Sequence, residues 1–225
     1  MSSTPAHHIV VAIDGPGASG KSSTARALAK ALGFLYVDTG AMYRTLAWYC
    51  LRKKVDVDNA RAIGAACRRW KTSLTYVDDA VRLLVEGHDP AVEIRSPEIS
   101  ATASKVAAVP AVRRWMKQTQ RECRQFGNLV MEGRDIGTNV FPDTDYKFFI
   151  DAPPEERAKR RAAQGVVEDL RERDHRDSQR AAAPLMVPLG ARIINNAGLT
   201  VEETCQRILE ELNRLRADNE ARRRK

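Results

Sequence analysis

A glycine-rich turn between an apolar strand and a helix limits the folds that this chain can adopt. Residues 9–13 (IVVAI) are continuously apolar, which is typical of a strand buried on both faces of a sheet. Residues 15–22 (GPGASGKS) follow and match the pattern G-x-x-x-x-G-K-[ST], and residues 22–32 then repeat apolar side chains at helical spacing. Strand, turn and helix in this order predict an α/β fold around a parallel sheet.

The residue types in the turn 15–22, called the P-loop below, suit an anion. Phosphate oxygens must approach backbone N–H groups closely, and glycine permits this because it has no Cβ. The following helix directs its dipole and its unpaired N–H groups at the same place. We therefore expect a nucleoside triphosphate here, with Lys21 on its β- and γ-phosphates and Ser22 on Mg²⁺. The residues assigned to the triphosphate are Gly15, Pro16, Gly17, Ala18, Ser19, Gly20, Lys21, Ser22 and Ser23.

Composition limits the classes of protein that need to be considered. Of the 225 residues 43% are hydrophobic and 29% are charged, so the chain can bury a core and is not expected to be disordered. No run approaches the roughly 20 apolar residues that a bilayer requires, which excludes a transmembrane protein. The net charge is +8, and residues 214–225, with six basic and two acidic side chains, supply half of it. The rest is only mildly basic, so no nucleic-acid partner is required.

The cysteines and the N-terminal residues indicate in which cellular compartment the protein is found. Cysteines at positions 50, 67, 123 and 205 have the spacing of neither a zinc site nor a disulfide framework. The first residues (MSSTPAHH) lack the basic and apolar regions of a secretory leader. We therefore expect a cytoplasmic protein, and we expect it to be a monomer.

The strand–helix alternation is interrupted after a second strand (34–37) and a second helix (41–53). Residues 58–70 have helical spacing, and residues 73–77 and 81–85 predict a β-hairpin across two aspartates. Strand patterns resume at 129–131. We predict an inserted domain at 58–98, a core made of 1–57 and 99–225, a lid at about 162–180 and a basic tail at 217–225.

Arginines follow two of the predicted strands at the point where each strand ends. Arg44 closes the segment 38–44 (DTGAMYR), and Arg134 lies in the segment 132–137 (EGRDIG). Ligands of open α/β sheets bind at the carboxyl ends of the strands, so both arginines are expected beside the P-loop. Guanidinium groups bind phosphate bidentately and keep their charge, which favours a clamp for a second phosphate. A GTPase is disfavoured because the sequence contains no N-K-x-D.

Seven stretches of the chain resemble the bacterial cytidylate kinase family. They are 13–23, 35–44, 93–100, 103–113, 131–143, 156–161 and 172–185. The P-loop is shared by many kinases, whereas DTGAMYR, EIR, GRDIGT and the run ERDHRDSQR are far more specific. The resemblance implies a three-layer P-loop kinase with a central parallel sheet, a small inserted α+β substrate-binding domain and a short lid. It also implies transfer of the γ-phosphate of ATP to CMP or dCMP, with Mg²⁺ as cofactor.

The resemblance also implies roles for individual residues. The arginines implied for the acceptor phosphate are Arg44, Arg134 and Arg180, and with Lys21 they form the catalytic set. The residues implied for the base are Ser104, Arg113 and Asp135, and those for the pentose are Arg173 and Asp177. The same substrate site includes Asp38, Thr39 and Arg95. Glu132 resembles the acidic residue that supports Mg²⁺ together with Ser22, and Arg157 and Arg161 are expected on the ATP side.

Several alternatives stay open on the sequence. Arg157 and Arg161 share a helix face that also fits a solvated basic surface. Asp38 has the position either to orient a water on Mg²⁺ or to cap the next helix. A small-metabolite kinase of the shikimate type also uses acceptor arginines, although an insert of 40 residues is extra for that role. An RNA-binding protein that uses the P-loop as a switch is favoured by the basic tail alone.

Overall fold

The fold is organised around a seven-stranded sheet whose neighbouring strands are parallel, except for one hairpin. The structure, a computed structural model, describes residues 8–163, 174–175, 177–179 and 183–223. The strand order is β3-β4-β2-β5-β1-β6-β7. The strands are β1 Val10–Asp14, β2 Leu35–Asp38, β3 Thr72–Val77, β4 Ala80–Val85, β5 Leu129–Gly133, β6 Tyr146–Asp151 and β7 Arg192–Asn195.

Helices cover both faces of the sheet. They are α1 Lys21–Leu32, α2 Thr39–Arg52, α3 Ala60–Arg69, α4 Pro97–Ala108, α5 Pro110–Glu122, α6 Pro154–Ala163 and α7 Val201–Arg223. The chain also contains two short 3₁₀ turns, Glu93–Arg95 and Cys123–Phe126, and a π-helical turn, Ile136–Val140. Within these described ranges, no helix combines the length and the apolar character needed to cross a bilayer.

The central strands divide the core between the two faces. Val10 and Ala12 of β1 belong to a hydrophobic cluster with α2, α3, α4 and α5, whereas Val11 and Ile13 pack with α1 and α7. All of these side chains are buried, as expected for a strand with period-two alternation that is covered on both sides. The prediction of an α/β fold with a buried parallel sheet is therefore confirmed.

The predicted hairpin is present and extends the central sheet. Its turn is made by Asp78 and Asp79, whose φ angles of 49° and 56° are both left-handed, the geometry that matches strand twist in a two-residue hairpin. Strand β4 pairs with β2 at Tyr36 and Ala80. Residues of 58–98 such as Ile63 also share the hydrophobic cluster of the central strands. The division into a core and an inserted domain stays a prediction.

The first glycine of the P-loop is required by packing. A Cβ on Gly15, which has φ +154°, would lie 2.1 Å from the carbonyl oxygen of Ile150 in β6. We expect Gly15→Ala to lower the free energy of unfolding by about 3 kcal/mol, because backbone must move to relieve this clash. The melting temperature is then expected to fall by roughly 6–12 °C.

Gly33→Ala is the matched control for that prediction. Gly33 also has a positive φ, +64°, but a Cβ there would meet nothing within 4 Å. It should therefore cost only the conformational strain of about 1 kcal/mol. Equal losses of stability in the two variants, measured by thermal unfolding, would show that the contact with Ile150 does not matter.

Candidate active site

The carboxyl ends of β1, β2 and β5 meet at one edge of the sheet. The register places Asp14 beside Gly133 and Asp38 beside Glu132. The P-loop follows β1, so it lies next to both loops that carry the predicted arginines. A cleft of about 460 Å³ opens at this edge, and P-loop residues, the two arginine loops, α4 and α5 line it.

The start of α1 presents a cation and a hydroxyl to the cleft. Lys21 is buried, and its Nζ donates to the carbonyl oxygen of Pro16 at 2.8 Å. The Ser22 hydroxyl donates to Oε1 of Glu132 at 2.5 Å, and the Tyr36 hydroxyl donates to the same oxygen at 3.2 Å. Ser22 and Glu132, which the sequence analysis placed together at one metal site, are therefore in direct contact.

Asp14, which the sequence analysis did not single out, connects the P-loop strand to the loop after β5. Its two carboxylate oxygens accept hydrogen bonds from the backbone N–H groups of Ile136 and Gly137 at 2.8 and 2.7 Å. Burial raises the pKa of this side chain to about 7, against the opposing effect of the two N–H groups. These bonds fix the turn that follows Arg134 and Asp135, so Asp14 positions that turn relative to the P-loop.

Asp38 caps α2 and pairs with the arginine of the same segment. Its Oδ1 accepts from the N–H of Ala41 at 2.7 Å, and its Oδ2 accepts from Nη2 of Arg44 at 2.8 Å. The capping interpretation of Asp38 is therefore observed directly. The Nε atom of Arg44 is buried and has no hydrogen-bond partner within the described ranges. A buried guanidinium N–H of this kind ordinarily has an acceptor, and Arg44 lines the cleft.

A buried ion pair lines the cleft. Arg113 on α5 donates from Nη2 to Oδ2 of Asp135 at 2.7 Å, and the two residues are 5% and 6% exposed. The Arg113 Nε has no partner among the residues that the structure describes. Ser104 on α4 lines the same part of the cleft. Arg113 and Asp135 therefore place a fixed pair of opposite charges on the cleft.

The predicted ATP-side arginines occupy different environments. Arg157 is buried, donates to the carbonyl oxygens of Gly17 and Ala152, each at 3.1 Å, and pairs with Asp174. Asp174 also accepts from the N–H of Gly17 at 3.3 Å. Arg161 instead lines the cleft. The solvated-surface interpretation is therefore wrong for Arg157, whose guanidinium holds the P-loop backbone.

Two residues to which the sequence analysis assigned no role support the P-loop from outside the cleft. Asn196, which follows β7, donates from Nδ2 to the carbonyl oxygen of Ser19 at 2.8 Å. Arg160 on α6 donates to Oδ1 and to the backbone oxygen of Asn196, both at 3.1 Å. Sequence position alone does not reveal such contacts, because 36 residues separate Arg160 from Asn196 and 177 separate Asn196 from Ser19.

Most of the predicted site residues lie on the cleft. Those that line it are Gly17, Ala18, Lys21, Ser22, Asp38, Thr39, Arg44, Arg95, Ser104, Arg113, Glu132, Arg134, Asp135, Arg161 and Asp177. Gly15, Pro16, Ser19, Gly20 and Ser23 belong to the P-loop or the first turn of α1 without lining it. Arg173 and Arg180 lie outside the described residues.

The cleft also has lining residues that the sequence analysis did not name. They include Arg26, Tyr36, Tyr43 and Ser100. Arg26 follows Ser22 by one helical turn on α1, which is the signal that would have found it. Its guanidinium carbon lies 4.4 Å from the centre of the Tyr36 ring, where a cation–π contact is favourable.

A phosphate-binding loop beside an arginine-lined cleft at the carboxyl edge of a parallel sheet defines a P-loop phosphotransferase. The particular family is shown by comparison with known proteins. The family model described as Cytidylate kinase matches residues 11–214. The chain therefore belongs to the cytidylate kinase family, and the resemblance found in the sequence is confirmed.

Curated relatives agree over nearly the whole chain. A cytidylate kinase of Pelotomaculum thermopropionicum is 44% identical over 211 residues, which cover 88% of this chain and 93% of the relative. That of Caldanaerobacter subterraneus subsp. tengcongensis is 40% identical and covers 92% and 95%. That of Klebsiella pneumoniae is 37% identical and covers 89% and 93%. The similarity therefore extends through both the P-loop core and the segment 58–98.

Proposed function

We propose that the cleft holds ATP at the P-loop and CMP or dCMP at the opposite wall, and that the γ-phosphate passes between them to give ADP and CDP or dCDP. The observation that carries this proposal is the continuity of the cleft. One cavity connects Lys21 and Ser22 to the buried pair Arg113–Asp135. Membership of the cytidylate kinase family supports the reaction and its acceptor.

The acceptor phosphate is assigned to the arginines between the two walls. Arg44 has a buried Nε that finds no acceptor within the described part of the chain. The Arg134 Nε pairs with Asp177 at 3.0 Å, which orients its guanidinium at the cleft. Arg180 completes this set in the proposal. Guanidinium groups suit this task because they stay charged and bind phosphate oxygens in pairs.

Base recognition is assigned to Ser104, Arg113 and Asp135. The exocyclic N4 amine of cytosine donates, and its N3 and O2 accept. A carboxylate paired with a guanidinium therefore matches cytosine. Uracil reverses the pattern at positions 3 and 4, so UMP would leave buried polar groups unpaired. The pentose is assigned to Asp177 and Arg173.

Catalysis in this arrangement is positioning together with charge neutralisation. The attacking group is an oxygen of the acceptor phosphate, which is already an anion, so no strong general base is needed. Lys21 neutralises charge on the β- and γ-phosphates of ATP, while Arg44 and Arg134 hold the acceptor in line. Arg161 lines the cleft and is assigned to the phosphates of ATP.

The residues beside the P-loop fit a magnesium ion. A hydroxyl from Ser22 and a carboxylate from Glu132 lie together, and oxygen donors of this kind are those that Mg²⁺ prefers. These two residues would hold the ion, which supplies positive charge to the phosphates of ATP when bound. Glu132 is kept in place by the Tyr36 hydroxyl and by the Thr39 hydroxyl, which donates to its backbone oxygen at 2.8 Å.

Glu132→Gln should weaken the response to magnesium. The amide keeps the shape of the side chain but loses its negative charge, so the Mg²⁺ concentration for half-maximal rate should rise about tenfold or more. The measurement is the rate of ADP release as free Mg²⁺ is varied at fixed ATP and CMP. Glu210→Gln, an exposed change on α7, is the control. An unchanged Mg²⁺ response in the Glu132 variant would remove Glu132 from the metal site.

The proposal as a whole is tested by ADP release with one acceptor at a time. The acceptors are CMP, dCMP, UMP, AMP, GMP and shikimate. Strong turnover with CMP and dCMP and weak turnover with UMP is the expected result. Turnover with shikimate instead would keep the P-loop assignment and replace the acceptor. We further propose that the enzyme is cytoplasmic and monomeric and that it requires no nucleic acid.

A further inference from the structure

The carboxylate of Asp135 is held by two donors on one of its oxygens. Arg113 donates to Oδ2 at 2.7 Å, and the side-chain amide of Asn139 donates to the same Oδ2 at 2.9 Å. Within the described part of the chain, both donors bind Oδ2 and none binds Oδ1. One oxygen is thus saturated by the protein, while the other is left for a group in the cleft that Asp135 lines.

The orientation of the Asn139 amide is set by a third residue. Lys117 donates from Nζ to Oδ1 of Asn139 at 3.0 Å. A lysine ammonium has donors only, so the amide oxygen must face Lys117 and the amide N–H₂ must face Asp135. The three side chains therefore form a hydrogen-bonded chain, called the relay below. In it Lys117 orients the Asn139 amide, and the Asn139 amide orients the Asp135 carboxylate.

The backbone brings the members of the relay together. Lys117 follows Arg113 by one turn of α5, so the two cations lie on the same helix face. Asn139 lies in the π-helical turn, where its own N–H and that of Val140 both bond to the carbonyl oxygen of Asp135 at 2.9 and 3.1 Å. These backbone hydrogen bonds of the turn do not involve the Asn139 side chain. The amide contact to Oδ2 is an addition that acts on the Asp135 carboxylate alone.

We propose that Asn139, oriented by Lys117, is a positioning residue that sets the selectivity for cytosine over uracil. This inference rests on the proposed function, in which Asp135 accepts from the N4 amine. Two donors on Oδ2 hold the carboxylate in one rotamer, so that Oδ1 faces the base as an acceptor. Without the amide, the carboxylate is held by Arg113 alone and can rotate away from the position that faces the N4 amine, which relaxes the selectivity.

The experiment compares kcat/KM for CMP and UMP in Asn139→Leu, which keeps similar volume and removes the donor. We expect the CMP-to-UMP ratio to fall about tenfold, as for loss of a hydrogen bond to a charged group. The KM for CMP should rise while the KM for ATP stays unchanged. A loss confined to thermal stability, with the ratio unaltered, would overturn the proposal.

Variants of Lys117 test whether this residue orients the Asn139 amide. They also keep the proposal testable if Asn139→Leu does not fold. Lys117→Met removes the donor and should lower the ratio about threefold, whereas Lys117→Arg keeps a donor and should retain the ratio. Gln118→Met, on the exposed side of the same helix, is the matched control. An equal ratio in Lys117→Met and Lys117→Arg would overturn the role of Lys117 in orienting the amide.

Asp135→Asn separates the failure of this inference from the failure of the proposed function. An amide both donates and accepts, so this variant should lose most discrimination between CMP and UMP. If it does and Asn139→Leu does not, the relay is wrong while base reading by Asp135 stands. If Asp135→Asn keeps the wild-type ratio, base reading by Asp135 is wrong and the relay fails with it.

Discussion

Lys21→Met is expected to lower kcat by about 10³-fold while the protein stays folded. The Lys21 ammonium is buried at the start of α1, between the P-loop backbone and the cleft. Charge that accumulates on the β- and γ-phosphates in the transition state would therefore be stabilised in a site with little water, where a fixed cation acts strongly. Methionine retains the aliphatic length of lysine and removes only the charge and the donors.

The Lys21 prediction has a control on the same helix. Lys30 is exposed in the last turn of α1, so Lys30→Met should leave turnover unchanged. The measurement is steady-state ADP release with saturating ATP and CMP, together with circular dichroism for the fold. Near-normal kcat in a folded Lys21→Met would remove Lys21 from the catalytic set and with it the assignment of ATP to this loop.

The parts of the fold that follow from local chemistry were predicted correctly from the sequence. The turn residues Asp78 and Asp79 adopt the left-handed angles that a two-residue hairpin needs. Thr200 and Glu203 form a capping box at the start of α7, which their spacing of three residues is sufficient to predict. The backbone N–H of each residue donates to the side chain of the other, at 2.8 Å for Thr200 and 3.1 Å for Glu203. Such features depend on neighbours within four residues, so a sequence pattern is sufficient to predict them.

Sequence patterns did not predict the contacts between segments that are distant along the chain. Asp14 stands between the predicted strand 9–13 and the P-loop, and only the packing of β1 beside β5 shows that it binds the N–H groups of Ile136 and Gly137. The pairing of β4 with β2 likewise depends on sheet register. The carboxyl ends of the strands were expected at one edge because parallel topology requires it. Which side chains support the P-loop there depends on long-range packing.

Arg113→Met is expected to impair both stability and the use of CMP. Removing the guanidinium leaves Asp135 as a buried carboxylate without its cation, which should lower the free energy of unfolding by about 3 kcal/mol. The same change removes a donor assigned to the base. We expect kcat/KM for CMP to fall about 100-fold, with little change in the KM for ATP, because Arg113 is assigned to the base of the acceptor and not to ATP.

The double variant Arg113→Met/Asp135→Leu separates the two effects. It replaces a buried ion pair by apolar side chains of similar volume, a change that is often neutral for stability. Thermal unfolding should therefore return towards that of the unmodified protein, while kcat/KM for CMP should stay low because both base-reading groups are absent. Recovery of CMP turnover together with stability would show that the pair is structural and that cytosine is read elsewhere. Recovery of stability alone would show that this buried pair is maintained for the substrate, since the fold does not need it.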